Sequence, residues 1–546
     1  MIYYTLMLIS AKNLSKSIGP KNLFNDLEFT IENNEKIALI GRNGQGKSTL
    51  LQMLSGDDKE FEGKIDTKKN LKVILTRQEH LTDNKQSALE YILKNVPNYS
   101  KYEKVLKEFE DGDHADTHLY SEAVEYFSEN GYYYIKDLIL ATLEDFQITN
   151  EKANNPLVSL SGGEKRFVEL ARMMYSQADL LLIDEPTNHM DYRGKDQFIS
   201  WMLTVNESML IVTHDRDVLQ SVDRIIELKD KKIHQFKGNY DSYIKQNTTN
   251  TTSAVMDYQN QLQKLKEAKE RVEWGNRMRA KSKAWKTRYD KWLREYEKIL
   301  SETKKPSFWI DQESTENLGK KVSESYDKFK EKNINIAFHS EKQRASELVT
   351  VSNLSLGYEK PIFDSISFRI ANNDRIFIKG RNGAGKSTLV RTIISMSKNE
   401  IPKAKIFEGD IKCGTVLRIG EYEQEISQKY LHMPLGEAIR HVYEENNIPV
   451  DDMKIKSTLS QYLFDPKIDE KQKIEHLSGG QKARFQIIKL LANKPNLLIL
   501  DEPTNHLDLP SIEELENSLL NFQGGILYIS HDKSFIDKIG GEVAEI

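Results

Sequence analysis

The chain has 546 residues, a formal net charge of −5, 38% hydrophobic residues and 29% charged residues. This length exceeds that of one ordinary hydrophobic core, so we expect two or more domains, and no apolar run reaches the roughly 20 residues that a membrane-spanning helix needs. The N-terminus lacks the pattern of a signal peptide, and the single cysteine, Cys413, excludes an intrachain disulfide and a cysteine-bound metal cluster. We therefore expect a cytoplasmic protein that does not insert into a membrane.

The first predicted elements are a short strand at 37–40, a glycine-rich turn and the start of a helix. The turn, GRNGQGKST at 41–49, returns as GRNGAGKST at 380–388, again after a short strand. Such loops bind phosphates with backbone amides at a helix N-terminus, while a lysine reaches the β and γ oxygens and a hydroxyl binds Mg²⁺. A lone loop could be an ordinary turn, but its repetition favours ATP binding. The candidates are Gly41, Arg42, Asn43, Gly44, Gln45, Gly46, Lys47, Ser48, Thr49, Gly380, Arg381, Asn382, Gly383, Ala384, Gly385, Lys386, Ser387 and Thr388, with Ser48 and Ser387 as Mg²⁺ ligands.

A second phosphate-binding element is predicted further along each copy. The chain reads LSGGE at 160–164 and LSGGQ at 477–481, each before a predicted helix. A Ser-Gly-Gly at a helix N-terminus offers a hydroxyl, amides and the positive end of the helix dipole to phosphate oxygens. The candidates are Ser161, Gly162, Gly163, Ser478, Gly479 and Gly480.

Two apolar runs, at 180–183 and 497–500, each end in an Asp-Glu pair. A buried parallel strand delivers such acids to a phosphate site, where the first can hold Mg²⁺ and the second can orient or deprotonate the attacking water. An acidic pair is often only a strand end, but the phosphate loop upstream favours hydrolysis. The candidates are Asp184 and Asp501 for Mg²⁺, and Glu185 and Glu502 for catalysis.

The repeat divides the chain into a first domain at 1–246 and a second at 333–546, with a linker at 247–332. The first copy is the longer one before its Ser-Gly-Gly, which predicts an insertion at about 95–132. The linker opens on NTTNTTS, which we interpret as a loop or a helix cap, and continues with the spacing of an amphipathic helix. We expect a helical hairpin between the two domains.

The reversal of this hairpin is predicted within a basic stretch. Residues 277–294 contain eight basic residues and one acid, a local charge of +7. Such charges are either a solvated face or contacts to RNA phosphates, and their concentration at the turn favours RNA. The linker tryptophans, Trp274, Trp285, Trp292 and Trp309, either pack the helices or stack on bases, and for them we expect packing. The candidate RNA-binding residues are Arg277, Arg279, Lys281, Lys283, Lys286 and Arg288.

These motifs together resemble the ABC ATPase superfamily, and DEPTNHMD at 184–191, DEPTNHLD at 501–508 and FKGNYDSY at 236–243 resemble its ABC-F group. The resemblance covers nearly the whole chain. It implies an α/β fold with two P-loop ABC-type nucleotide-binding domains in tandem, joined by an α-helical hairpin linker. It further implies a monomer whose domains pair head to tail, so that each phosphate loop faces the other domain's Ser-Gly-Gly. The implied pairs are Lys47 with Ser478 and Lys386 with Ser161.

The resemblance also assigns roles outside the loops. It implies that Gln78 and Gln424 sense the γ-phosphate and bind Mg²⁺, and that His214 and His531 hydrogen-bond the γ-phosphate during catalysis. Tyr358 matches an aromatic residue that stacks on adenine, whereas the first domain has Ile18 at that position. This departure predicts weaker base recognition at the first site.

Members of the group bind the ribosome. The resemblance therefore implies an ATPase that uses ATP and Mg²⁺, binds rRNA and peptidyl-tRNA in its ATP-closed state, and inserts the linker toward the peptidyl-transferase centre. Protection of the ribosome against antibiotics is the favoured outcome, and a general translation factor that relieves stalled ribosomes stays open. A different class, the ATPase subunit of an ABC transporter, shares the ATPase motifs, but the charged linker that fuses the two domains argues against it.

Overall fold

The protein is represented by a computed structural model that describes residues 7–19, 21–76, 85–110, 117–188, 190–302, 336, 347–423, 426–492, 494–505 and 507–546. Gln78, Gln424 and Trp309 lie outside the described residues.

The described part of the first domain contains two sheets. An antiparallel sheet has the order β2-β1-β4, and a larger sheet has the order β5-β6-β7-β3-β8-β9, parallel except for its last pair. The central strands of the larger sheet are apolar and buried, as is typical of parallel strands covered on both faces. The strands are β1 (Met7–Ile18), β2 (Lys21–Glu32), β3 (Lys36–Gly41), β4 (Glu62–Thr67), β5 (Val73–Leu75), β6 (Leu180–Asp184), β7 (Ser208–Val212), β8 (Arg224–Lys229) and β9 (Lys232–Lys237).

Helices of the first domain pack against the larger sheet and form a separate helical layer beside it. The segment predicted as an insertion holds two helices that pack together, α3 (Tyr99–Glu110) and α4 (Thr117–Glu129). Their contact includes Tyr99 stacked on Phe127, with ring centroids 5.4 Å apart. The helices are α1 (Lys47–Ser55), α2 (Ala88–Asn95), α3 (Tyr99–Glu110), α4 (Thr117–Glu129), α5 (Ile135–Asp145), α6 (Asn150–Asn154), α7 (Gly162–Met174), α8 (Tyr192–Thr204) and α9 (Arg216–Gln220).

The linker contains two long helices, α10 (Tyr240–Met278) and α11 (Lys283–Glu302), which reverse direction at 279–282. The segment NTTNTTS at 247–253 lies inside α10, so its interpretation as a loop or cap was wrong. Thr248 and Thr249 donate their hydroxyls to carbonyl oxygens four residues earlier, at 2.7 and 2.9 Å, which satisfies these polar side chains within the helix. None of the described helices is both long enough and apolar enough to span a membrane.

The second domain repeats this plan in its described residues. An antiparallel sheet has the order β11-β10-β13, and a parallel sheet has the order β14-β15-β16-β12-β17. The strands are β10 (Glu347–Gly357), β11 (Ile366–Ala371), β12 (Arg375–Lys379), β13 (Lys405–Cys413), β14 (Ile419–Tyr422), β15 (Leu497–Asp501), β16 (Gly525–Ile529) and β17 (Glu542–Glu545). The helices are α12 (Lys386–Ser397), α13 (Gln428–Leu431), α14 (Leu435–Glu445), α15 (Asp452–Gln461), α16 (Gly479–Ala492), α17 (Leu509–Leu520) and α18 (Lys533–Ile539).

The two domains contact each other through apolar and charged groups. Leu509, at the start of α17, belongs to a buried cluster of the first domain that includes Ile40 and Tyr243. Nearby, the Arg216 guanidinium donates to the Glu516 carboxylate at 2.8 Å, and the Glu516 side chain is fully buried. The interface therefore places the phosphate loop of one domain close to helix starts of the other.

Candidate ATP-binding and hydrolysis site

The two phosphate loops share one geometry. α1 begins at Lys47 directly after Gly46, whose φ is 98°, and α12 begins at Lys386 directly after Gly385, whose φ is 99°. A Cβ added to these glycines would lie only 3.1 Å and 2.9 Å from the nearest neighbouring side chain. Glycine is therefore required by both conformation and space, and the amides at each helix start stay accessible to phosphate oxygens.

Lys47 is buried within the first loop. Its ammonium donates to the carbonyl oxygens of Gly41 at 2.5 Å and Arg42 at 3.4 Å, and to Nε2 of His214 at 3.2 Å. Because Nε2 accepts this bond, His214 is neutral, and burial together with the Lys47 charge lowers the pKa of His214 to about 3. The lysine thus occupies the centre of the loop, where a phosphate would meet it.

Lys386 has the same place in the second loop but different partners. Its ammonium donates to the carbonyl oxygens of Gly380 and Arg381, both at 2.9 Å. Burial lowers the pKa of Lys386, as it does for Lys47. A buried ammonium whose hydrogen bonds go to neutral groups gains a charged and therefore stronger partner when phosphate enters, so both loops suit ATP.

Hydroxyl and carboxylate oxygens meet where Mg²⁺ is expected. The Ser387 hydroxyl donates to Oδ2 of Asp501 at 2.8 Å, and in the first site Ser48 and Asp184 line the same cavity. Mg²⁺ prefers such oxygen ligands and keeps several waters or phosphate oxygens, so two protein groups suffice. These residues fit Mg²⁺, which when bound would neutralise developing phosphate charge.

The two candidate catalytic glutamates directly follow β6 and β15 in a left-handed backbone conformation. The φ of Glu185 is 48° and that of Glu502 is 50°; side chains rarely adopt this region, and strain of this kind is found at functional sites. Burial raises the pKa of each carboxyl group to about 8. Glu185 keeps 22% of its side chain exposed and Glu502 only 9%, so burial is more complete at Glu502. Both carboxyl groups are poised near neutral pH, as a general base requires.

The histidines approach these glutamates at different distances. Nε2 of His531 lies 3.3 Å from Oε1 of Glu502, and the His531 backbone amide donates to Oε2 at 3.2 Å. Nε2 of His214 lies 3.9 Å from Oε1 of Glu185. Burial, reinforced by the Lys386 charge, lowers the pKa of His531 to about 3. Both rings are therefore neutral at physiological pH.

A cavity of about 630 Å³ extends along the domain interface at the first phosphate loop. This volume lies within the range of small-molecule sites. A Cβ on Gly480 would overlap the Asn43 side chain, so the second domain's Ser-Gly-Gly is packed directly against the first loop. The cavity lining includes Asn43, Gly44, Gly46, Lys47, Ser48, Thr49, Asp184, Glu185, His214, Ser478, Gly479, Gly480, Glu502 and His531.

For three further positions predicted from the sequence, the structure gives less direct evidence of a role in ATP binding. Ser161 caps its own helix, accepting from the Glu164 amide at 3.3 Å, and its pairing with Lys386 stays a prediction. Ile18 is 55% exposed and lines the cavity of the first site, while Tyr358 is 57% exposed at the end of the equivalent strand of the second domain. Of these two aligned positions, the one in the second domain carries the exposed aromatic face that base stacking needs.

Sequence reasoning missed Arg166, on α7. Its guanidinium donates to the backbone carbonyl oxygens of Asp184 and Glu185, the latter at 2.5 Å, and thereby holds the end of β6. The second copy has Ala483 at the equivalent position, so the repeat gave no signal for this residue.

Asp191 and Asp508, at the ends of the DEPTNH motifs, were also missed as helix caps, and Asp191 was missed as a contact between the domains. Asp191 caps α8 through the Gly194 amide at 3.0 Å, and its other oxygen accepts from the Asn382 amide of the second loop at 3.5 Å. Asp508 caps α17 through the Ser511 amide at 3.1 Å. Their position within a shared motif was a usable signal, because both copies carry an aspartate there.

The six candidate RNA-binding residues surround the reversal of the hairpin and are all exposed. None of them forms an ion pair with a described residue, although Arg279 lies 5.3 Å from the Tyr289 ring and Arg288 lies 5.2 Å from the Trp285 ring. Trp274 packs edge-on against Trp285, with ring centroids 5.0 Å apart, and lies 6.0 Å from Trp292. The rings join the two helices, and the cations face outward.

Two copies of a strand, phosphate loop and helix, each completed by an acidic strand end, define a P-loop ATPase with tandem nucleotide sites. The family model described as ABC transporter matches residues 24–188 and 363–505. The chain belongs to the ABC ATPase family, in its ABC-F branch, and is an ATPase.

The relatives span most of the chain. It is 31% identical to the ATP-binding protein Uup of Haemophilus influenzae, over 98% of this chain and 78% of that protein. It is 30% identical to YfmR, an uncharacterized ABC transporter ATP-binding protein of Bacillus subtilis, over 98% of this chain and 80% of that protein. A solved structure of the archaeal ribosome recycling factor aABCE1, in complex with the ribosomal stalk protein aP1, aligns with a TM-score of 0.55 at 16% identity, over 98% of this chain and 89% of that one. This last likeness concerns the fold alone.

Proposed function

We propose that this ATPase binds the ribosome when ATP holds its domains together, and that its hairpin contacts ribosomal RNA. The observation that carries the proposal is the group of six exposed cations at 277–288, none of which pairs with a described carboxylate. Unpaired cations keep their full charge for RNA phosphates, and each phosphate contact releases counterions. ABC-F membership and the fold shared with a ribosome recycling factor support the choice of the ribosome.

The site supports ATP control of this binding. Lys47 belongs to the first domain and Ser478 to the second, and both line one cavity, so a nucleotide between them would join the domains. Hydrolysis by Glu185 and Glu502 would remove that link. Because both halves of the sandwich lie in one chain, we propose that the active form is a monomer. We also propose that the protein is cytoplasmic and that Gln78 and Gln424 complete the two sites.

The finer proposal concerns the direction of the hairpin. We propose that its tip is inserted toward peptidyl-tRNA and the peptidyl-transferase centre, and that this protects the ribosome against antibiotics. Expression of the protein in a susceptible strain should then raise the inhibitory concentration of drugs that bind this centre. Growth defects relieved by the protein without any change in drug susceptibility would favour a general translation factor instead.

Ribosome binding is tested with Glu185→Gln combined with Glu502→Gln. This variant should keep ATP, stay closed and sediment with ribosomes when ATP is present. Sedimentation with ribosomes that does not depend on ATP would contradict the proposal. Recovery with membranes instead of polysomes would also contradict it and would favour a transporter subunit.

A matched pair of variants tests the hairpin tip. Lys281→Gln with Lys283→Gln removes two cations at the tip, and Lys264→Gln with Lys266→Gln removes two exposed cations further down α10. If the tip contacts phosphates, the slope of log affinity against log salt should fall by about 2 in the first variant and stay unchanged in the second. Equal slopes in both variants would count against RNA contact at the tip.

A further inference from the structure

A buried lysine of the first domain reaches the candidate catalytic centre of the second. Lys195, on α8, is 3% exposed, and its ammonium donates to the backbone carbonyl oxygen of His531 at 2.8 Å. Two carboxylates of its own domain hold it in place: Asp215 at 2.8 Å and Asp217 at 3.3 Å. All three donors of the ammonium therefore have oxygen partners, which leaves the side chain little freedom.

His531 is held from two sides. Its backbone amide donates to Glu502 at 3.2 Å, and its carbonyl oxygen accepts from Lys195 at 2.8 Å. One contact comes from the second domain and the other from the first. The orientation of the ring that faces Glu502 thus depends on a group that is present only while the domains are together.

The first site has no equivalent of this lysine. Lys195 follows Asp191 by four residues, and the residue that follows Asp508 by four is Ile512. Ile512 is 2% exposed and lines the interface cavity with an apolar side chain that cannot bond a carbonyl oxygen. The difference lies outside every ATPase motif of the chain.

We propose that Lys195 is a positioning residue for the second ATP site, where it orders His531 and through it Glu502 when the domains close. Hydrolysis at the second site is then coupled to closure by a contact that the first site lacks. The proposal rests on the assignment of Glu502 and His531 to hydrolysis and is independent of ribosome binding.

The test measures each site separately in the full-length protein. Glu185→Gln leaves only the second site competent for hydrolysis, and Glu502→Gln leaves only the first. Lys195→Met should lower kcat by about 10-fold or more in the Glu185→Gln background with little change in KM, because a catalytic group is displaced while the phosphate loop is intact. In the Glu502→Gln background the loss should stay below about threefold.

Two further variants separate positioning from loss of folding. Lys195→Arg keeps the cation and should restore most of kcat at the second site. Lys533→Met breaks another contact between the domains, the exposed ion pair with Asp196 at 3.0 Å, and should leave kcat unchanged.

Three results would overturn the proposal. Equal loss at both sites would mean that Lys195 only supports the fold or the Asp215 loop, and an unchanged kcat at the second site would mean that His531 is held without it. If Glu185→Gln combined with Glu502→Gln hydrolyses ATP at the normal rate, the assignment of the glutamates fails, and the positioning role falls with it.

Discussion

The two ATP sites share their motifs but not the contacts around them. In the first site the histidine, His214, accepts a hydrogen bond from Lys47 at 3.2 Å and lies 3.9 Å from Glu185. In the second, His531 lies 3.3 Å from Glu502. One ring is thus engaged with the phosphate loop and the other with the candidate base.

The two sites also differ in residues that the motifs do not include. Lys195 holds His531 across the interface, and the equivalent Ile512 offers no hydrogen bond. Leu509 is buried in a cluster of the first domain, whereas its counterpart Tyr192 is only partly buried. Duplicated motifs therefore preserve the chemistry of two sites, while the surrounding helix starts make them unequal.

The largest expected effect tests whether the shared chemistry is real at both sites. Glu185→Gln combined with Glu502→Gln should lower kcat by about 10²–10⁴-fold, because a carboxylate that activates water contributes about that much. ATP binding should be retained, since the phosphate loops are intact. Steady-state ATPase and filter binding of labelled ATP measure the two properties, and the single variants rank the sites. A double variant as active as the wild type would contradict the assignment.

The next largest effect concerns two ion pairs between the domains, which should contribute unequally to the free energy of unfolding. Among the described residues, Arg216→Met leaves the buried Glu516 paired with Lys538 alone, at 2.9 Å. It should lower the free energy of unfolding by about 3 kcal/mol, because a buried carboxylate loses its main partner. Lys533→Met, which breaks an ion pair with both side chains about half exposed, should cost about 1 kcal/mol or less. Urea unfolding followed by fluorescence compares the two variants. Equal losses of unfolding free energy in the two variants would mean that the buried and the exposed ion pair contribute equally to stability.

Packing of the second domain's Ser-Gly-Gly against the first loop is tested by Gly480→Ala. The added methyl would overlap the Asn43 side chain and disfavour the closed arrangement by about 1–3 kcal/mol. The radius of gyration from small-angle X-ray scattering should therefore rise. Gly162→Ala, a change in the first domain's own Ser-Gly-Gly, is the control, since a methyl there meets no atom within 4 Å, and it should leave the radius unchanged. An unchanged radius for Gly480→Ala would show that this packing does not hold the domains together.

A further prediction is a pH dependence of stability at the second site. The pKa of Glu502 is raised by burial from 4.5 to about 8, so the folded state keeps a proton that the unfolded chain loses across that window. Stability should therefore fall as pH rises from about 4.5 to 8. Glu502→Gln cannot ionise, so its melting temperature relative to the wild type should be higher at pH 8 than at pH 5. A gap that does not change with pH would contradict the raised pKa.

His531 contributes in the opposite direction. Burial lowers its pKa from 6.5 to about 3, so the unfolded chain binds a proton that the folded state does not, and stability should rise with pH between about 3 and 6.5. Where the two windows overlap, the contributions offset each other. Melting curves from pH 5 to 8.5 should therefore change most in the upper part of the range.

Much of the fold followed from local sequence patterns. The strands that lead into Lys47 and Lys386, and those that end in Asp184 and Asp501, were predicted because apolar runs, glycine turns and repetition are local signals. The polar segment 247–253 was misread because threonine hydroxyls can bond within a helix, which composition alone does not reveal.

The contacts between domains could not be predicted in the same way. Arg216 and Glu516 lie 300 positions apart in sequence, and neither belongs to a motif. Lys195 stood out only by comparison with Ile512, after the structure had indicated which positions face the other domain. Such contacts depend on how two folded domains meet, and a single sequence does not encode that in any local pattern.

The first hairpin helix has a mechanical consequence. α10 is 39 residues long and starts inside the first domain, where Tyr243 is 1% exposed. At 1.5 Å per residue it reaches about 58 Å, so a rotation of the domain by about 10° would sweep its far end through about 10 Å. A rotation of the first domain that leaves its fold intact would therefore move the hairpin tip by more than the spacing between neighbouring phosphates of a nucleic acid strand.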